Sequence, residues 1–338
     1  MSYEIQYSLF ESEDSLPSPS GSLRGLDFQG NGLKMWSLFQ SSNRLVEYDL
    51  TVAFDISTAT ISQFKLYSAQ DTDMSDLSWG DHGSKLYMVG DDNDSVYEYD
   101  VSTPFDISTA VYNQAFVTTT QDDHPKSVCF KADGKKMYVL GGRNNSIYQY
   151  DLSTGWDLST ASYVSTFSVS SQILNPTGIF IELNGDYIFV VGRSNDKIAR
   201  YDFGTAFDLS TLTYSQNFVF STPALNPSGI YIKPLGGYFY TLDYDTNDVF
   251  TYYIQTPDYQ ISGYVTENLT PIEDAKMRCI KQSDNSSLTP LLTLSTGLYT
   301  FTGLDQNELY HVSVEKAISS VDYNSWSYWN IEPVLVLI

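Results

Sequence analysis

The sequence predicts an all-β fold: a five-bladed β-propeller over residues 1–257, followed by a small β-sandwich over residues 258–338. Three observations carry this prediction. The chain repeats itself five times with a period of 51 residues; each copy holds four short runs of β-favouring residues separated by turn residues; and near Asp258 the repeat gives way to shorter alternating runs of a different composition.

The register of the repeat barely slips. Tyr48-Asp49, Tyr99-Asp100, Tyr150-Asp151 and Tyr201-Asp202 recur at the same step, and the fifth place falls on Tyr252-Tyr253, where the Asp is lost. Trp36, Tyr87, Tyr138, Phe189 and Tyr240 form a second series, and Leu26, Leu77, Val128, Ile179 and Ile230 a third. In the third copy the strands read Ser127–Phe130, Lys136–Leu140, Ser146–Tyr150 and Ser162–Val169. Gly32, Gly83, Gly134, Gly185 and Gly236 mark a first hairpin that needs positive φ, which glycine adopts at least cost. Asn43, Asp94, Asn145, Asp196 and Asn247 mark a second, using side chains that tolerate the left-handed region. Four-stranded antiparallel units with no helices between them bury both faces only by stacking around a ring.

The fifth copy ends at Ile254 without a fourth strand. Ser2–Leu9 supplies the missing strand and Glu11–Ser22 the loop leading into the first blade, so the N-terminus is expected to close the open sheet edge. Beyond the ring, Ile261–Val265, Pro271–Ala275, Lys276–Ile280, Gly297–Phe301 and Tyr310–Val314 read as short strands of the sandwich, with the boundary inside Gln255–Asp258.

Two resemblances follow from these segments. Phe130–Val139 resembles the strand-turn-strand signature of lactonase-like and TolB-like propeller repeats; it spans about ten residues per copy and implies a blade, not an activity. The order of strands over 259–316 resembles the carboxypeptidase-regulatory-like, transthyretin-like (Ig-like) modules, and Ser327–Pro333 resembles the ending of such modules in virion proteins of tailed phages.

Composition narrows the function. With 18 Lys and Arg against 41 Asp and Glu the net charge is −23, spread along the chain, so nucleic acid is excluded as a partner. No apolar run approaches the ~20 residues of a membrane-spanning helix, and the acidic N-terminus does not read as a secretory signal. His82, His124, His311, Cys129 and Cys279 are too scattered for a zinc site or disulfide, and no cofactor is implied.

The repeated acids invite a catalytic reading, but Asp49, Asp100, Asp151 and Asp202 are equivalent by the repeat. A catalytic set needs distinct roles at distinct positions, so these are expected to bond backbone amides at strand ends. Asp55, Asp106, Asp157 and Asp208, each after an aromatic and before Ile/Leu-Ser-Thr, read as caps of a single helical turn with the aromatic as anchor; calcium would need more oxygens than one carboxylate supplies. Asp91–Asp94 and Gln121–His124 read as solvated turns. Trp326, Tyr328 and Trp329 are suited to stacking on sugars or to packing. No Gly-x-Ser-x-Gly, His-Glu-x-x-His or phosphate-cradling loop is present, so neither catalytic nor metal-binding residues are expected.

The resulting expectation is a structural, surface-exposed protein of a phage particle, made in the host cytoplasm and placed on tail fibre or capsid. It would attach to other virion proteins or to host glycan through cations in the second-hairpin turns: Arg44, Arg143, Arg193 and Lys197. The competing readings are a polysaccharide-active propeller enzyme and a bacterial surface adhesion protein.

Overall fold

The computed structural model describes residues 4–17, 21–220, 226–234 and 237–254, together with strand segments between 258 and 336. The chain divides into two compact units, Met1–Gln255 and Thr256–Ile338.

The first unit is a five-bladed propeller. Blade one is Leu23–Phe28, Lys34–Phe39, Arg44–Leu50 and Ala59–Leu66, hydrogen-bonded in that order as an antiparallel sheet. Blades two to four repeat it from Met74, Pro125 and Pro176, ending at Val117, Ser168 and Val219. Blade five takes three strands from the end of the ring, Pro227–Ile232, Tyr238–Asp243 and Asp248–Tyr253, and its fourth from the N-terminus.

That fourth strand is Leu9–Ser15, running antiparallel to Asp248–Tyr253. The closure is as expected from the sequence, but the segment is not: residues 4–8 of the expected strand Ser2–Leu9 lie before the strand and much of the stretch assigned to a loop is in it, while Ser2 and Tyr3 lie outside the described residues. Each complete blade places a 3-10 turn before its outer strand, Ile56–Thr58, Ile107–Thr109, Leu158–Thr160 and Leu209–Thr211. The N-terminus reproduces both parts, with Ile5–Tyr7 as the turn. Ile5 is fully buried, like Ile107 and Leu209, and Gln216 Nε2 donates to Glu4 at 3.0 Å where Gln63 and Gln114 donate to Asp106 and Asp157 at 2.8 and 2.9 Å. Alternation alone placed the strand too early because Tyr3, Ile5 and Tyr7 also alternate.

The caps are as expected. Asp55, Asp106, Asp157 and Asp208 each accept from the amide of the Ser two residues on, at 2.9–3.1 Å. The preceding aromatics, Phe54, Phe105, Trp156 and Phe207, have φ of 62–68° and lie over Gly32, Gly83, Gly134 and Gly185. A Cβ on Gly134 would stand 2.3 Å from the Trp156 ring, so this glycine serves both its own φ of 69° and the ring above it. Gly236 lies outside the described residues; its neighbour Gly237 has φ 93°. The second-hairpin residues Asn43, Asp94, Asn145, Asp196 and Asn247 all have positive φ.

Neighbouring blades are joined by the buried aromatic series on the second strands. Tyr87 Oη donates to the Trp156 carbonyl at 2.5 Å, Tyr138 Oη to that of Phe207 at 2.6 Å, and Tyr240 Oη to that of Phe54 at 3.1 Å, the last across the ring closure. Such bonds contribute about 1 kcal/mol each beyond the burial of the rings. The Asp of each Tyr-Asp pair behaves otherwise than expected: Asp49, Asp100 and Asp151 sit 2.6–2.7 Å from Lys34, Lys85 and Lys136 on the adjacent strand, and Asp202 2.7 Å from Arg200. A cation, opposite for the first three and two residues back on the same strand for Asp202, takes the place of the expected strand-end amide.

The second unit is all-β. Asp258–Tyr264 lies between Leu298–Leu304 and Val334–Val336 in one antiparallel sheet; Leu291–Leu292, Lys276–Lys281, Tyr310–Ile318 and Asp322–Ile331 form another. Phe301 and Leu304 of the first share a buried cluster with Met277, Cys279 and Val312 of the second, as in a two-sheet sandwich. Residues 272–275 of the expected strand Pro271–Ala275, the boundary residues 255–257, and the side chains of Trp326, Tyr328 and Trp329 lie outside the described residues.

Candidate functional site

The first strand of each blade lines the axis of the ring. Because five sheets leave little room there, the inner strands bond directly to one another. Trp79 N donates to Asp27 at 2.9 Å, joining blades one and two. Ser127 Oγ donates to Asp76, joining two and three, and accepts from Ile179 N at 3.0 Å, joining three and four. Thr177 Oγ1 donates to the Pro227 carbonyl at 2.8 Å and Ser228 Oγ to that of Leu23 at 2.7 Å, completing the circle. At the waist stand Gly25, Asp76, Ser127, Gly178 and Gly229, one per blade; a Cβ on Gly25 would meet Asp76 Oδ1 at 2.7 Å.

Toward the end where the inner strands finish, this waist opens into a cavity of about 200 Å³ lined by Asp27, Asp76, Trp79, Cys129, Glu182 and Tyr231 among others. Burial pushes Asp27 up to about 7 and Asp76 up to about 8, against the amides of Trp79 and Phe28 and the hydroxyl of Ser127, which favour the charged forms. Burial also raises the Cys129 thiol well above its ordinary value, which disfavours the thiolate. Among the described residues no Lys, Arg or His lines the cavity, and no three His, Cys, Asp or Glu side chains could hold a metal. Sequence reading passed over Asp27 and Asp76; the signal was their departure from the repeat, since the places equivalent to Asp76 hold Gly or Ser and those equivalent to Asp27 hold Ser, Cys, Phe and Tyr.

The opposite end, where the inner strands begin, carries cations. The repeat places Gln40, Asp91, Gly142, Arg193 and Tyr244 at one position of successive blades. The Arg193 guanidinium lies 4.2 Å from the Tyr244 ring centroid and that of Arg24, from blade one, 5.1 Å from the same centroid. Arg24 Nη1 also lies 3.3 Å from Asp73 and donates to Ser75 Oγ at 3.2 Å. Tyr244 Oη donates to Gln40 at 3.2 Å. Further round, Asp91 holds Lys126 at 2.6 Å and His124 at 3.0 Å.

The four cations singled out from sequence thus have different surroundings. Arg193 reaches this face with Arg24, which sequence reading missed. Arg143 is held by Asp123 through two hydrogen bonds of 2.8 and 2.9 Å. Arg44 lies over Phe64 at 4.4 Å, and Lys197 is half-buried at the start of its strand. The Gln121–His124 turn is less solvated than expected: Asp122 is buried and accepts from the amides of His124, Arg143 and Asn144.

A family model described as a seven-bladed lactonase β-propeller matches residues 77–271, more than half of the chain. The chain belongs to this lactonase-propeller family. As a family member it departs in blade number, closing its ring with five. Among solved structures it is similar to the β-propeller domain of Cps50 (Swd1) from Myceliophthora thermophila, at 10% identity and TM-score 0.41, covering 72% of this chain and 98% of that one. It is also similar to a putative 6-phosphogluconolactonase from Bacteroides uniformis, at 12% identity and TM-score 0.44, covering 97% and 90%. No curated protein sequence matches this lactonase-family propeller.

Proposed function

We propose that this lactonase-family propeller binds rather than catalyses, as a structural, surface-exposed protein of a tailed-phage particle that attaches to host glycan or to neighbouring virion proteins. The observation that carries the non-catalytic part is the use of the axial acids: Asp27 and Asp76 bridge blades, and among the described residues no cation or histidine lines the cavity beside them to stabilise an oxyanion. Binding is supported by the cations Arg24 and Arg193 at the other end of the axis, in a chain of net charge −23. The virion setting is supported by the resemblance of Ser327–Pro333 to the ending of such modules in tailed-phage virion proteins, after a segment, 259–316, that resembles carboxypeptidase-regulatory-like modules. Antibodies against the protein should label purified particles by electron microscopy; particles free of label overturn the reading.

A second reading, hydrolysis of a lactone or polysaccharide, is favoured by the family match and by two carboxyls in a cavity with pKa values of about 7 and 8, suited to general acid or base work. Turnover of a lactone panel or of capsular glycans, abolished in Asp76→Asn and retained in Arg193→Gln, would establish it in place of the first.

A further inference from the structure

We propose that Arg24 and Arg193, converging on the ring of Tyr244, form a binding site for the carboxylate of an acidic sugar. This rests on the glycan-binding reading above and names the ligand class and the residues that take it.

The two guanidiniums come from residues 169 positions apart in sequence, and both lie within 5.1 Å of one ring centroid. Their charges oppose each other: burial, followed by the charge of Arg24, lowers the Arg193 pKa. Yet among the described residues no carboxylate stands within ion-pair distance of Arg193, and the Nε of each arginine is buried with no hydrogen-bond partner. Among the described residues Arg24 has only Asp73 as a paired acid. Two partly desolvated like charges, one of them without a paired carboxylate among the described residues, are a poor arrangement for the empty protein and a good one for an anion, which relieves the repulsion and accepts from the guanidiniums.

The surroundings choose among anions. Asp243 accepts from the amides of Asn226, Asp245 and Thr246, Asp245 accepts from Asn226 Nδ2, and Asp73 lies 3.3 Å from Arg24, so carboxylates stand beside the arginines. A polyphosphate or nucleic acid would meet that charge at several points, whereas a sugar with one carboxylate per residue presents hydroxyls to the same acids and to Gln40. Acceptor-rich neighbours around a cationic centre therefore match an acidic saccharide better than a dense polyanion.

The test is calorimetric titration of the full chain with oligogalacturonate and with its methyl-esterified counterpart, which differs only in charge. Binding of the acid form and at least tenfold weaker binding of the ester are expected, with Arg193→Gln and Arg24→Gln each weakening the acid form by about tenfold or more, the range of a lost charge-assisted bond. Arg193→Gln should leave the melting temperature unchanged or raised, since it removes the repulsion. Equal binding of ester and acid, wild-type affinity in both variants, or no binding of the acid form by the wild type overturns the site. Particle labelling tests the virion reading separately, so a labelled particle whose protein ignores oligogalacturonate rejects this site alone.

Discussion

Glu4 accepts a hydrogen bond at 3.0 Å from Gln216, on the outer strand of the neighbouring blade four and 212 positions along the chain, in the place where Asp106 and Asp157 accept one from Gln63 and Gln114. Gln6 N in turn donates to Gln216 Oε1 at 3.1 Å. The N-terminus thereby imitates the turn-and-strand of a complete blade, and the ring closes between segments that the chain holds furthest apart.

That closure makes Ile5 a measurable latch. It is fully buried beside Phe189, Phe239 and Tyr252, and Ile→Ala in a core costs about 2–5 kcal/mol. Ile5→Ala should lower the urea midpoint accordingly, and deletion of residues 1–15 should leave blade five with an open edge and poor solubility. Wild-type stability in either variant contradicts the latch.

Gly134→Ala should destabilise the ring by more than about 2 kcal/mol, since it combines a positive φ with a clash against an aromatic ring. The contacts are specific: φ is 69° and the new Cβ would lie 2.3 Å from Trp156. Gly30→Ala, with nothing within 4 Å of the new Cβ, is the control and should be close to neutral. Thermal melts of the two variants compare them directly.

The axial carboxyls give the protein a pH dependence with a definite sign. Asp27 and Asp76 have pKa values of about 7 and 8 in the fold, above the ordinary 3.8, so the folded state holds more protons than the unfolded one between these limits. Their contribution to stability is fully present below about 3.8 and is lost as pH rises to about 8. Asp76→Asn should shrink the difference in melting temperature between pH 5 and pH 8. An unchanged difference shows that Asp76 does not titrate in this window.

Buried and exposed charges should separate cleanly. Glu98 is fully buried and accepts from Lys85 at 2.5 Å, Gln114 at 2.8 Å and the Leu158 amide of the next blade at 3.0 Å. Removing one member of a buried pair costs about 3–5 kcal/mol; Lys85 retains Asp100 and some solvent contact, so Glu98→Ala should fall near 3 kcal/mol. Arg143→Ser breaks a pair exposed on both sides and should leave the melting temperature unchanged.

The sequence by itself determined the blade count, through the number of repeat copies, and the hairpin positions and Asp caps, because these depend on residues within one 51-residue copy: a left-handed Asn145, a glycine at 134, Asp157 and the Ser two places on. It also showed that the N-terminus closes the ring. Tertiary structure decided the register of that closure, since only the site left by the missing turn, with Gln216 waiting for an acid, tells Glu4–Tyr7 from a strand. It likewise decided the roles of Asp27 and Asp76 and the meeting of Arg24 with Arg193. Spacing along the chain carries no information about which neighbours a side chain finds across a ring axis; the joint at Trp79, the burial that raises the carboxyls and the shared Tyr244 exist only once five twisted sheets are set around one centre.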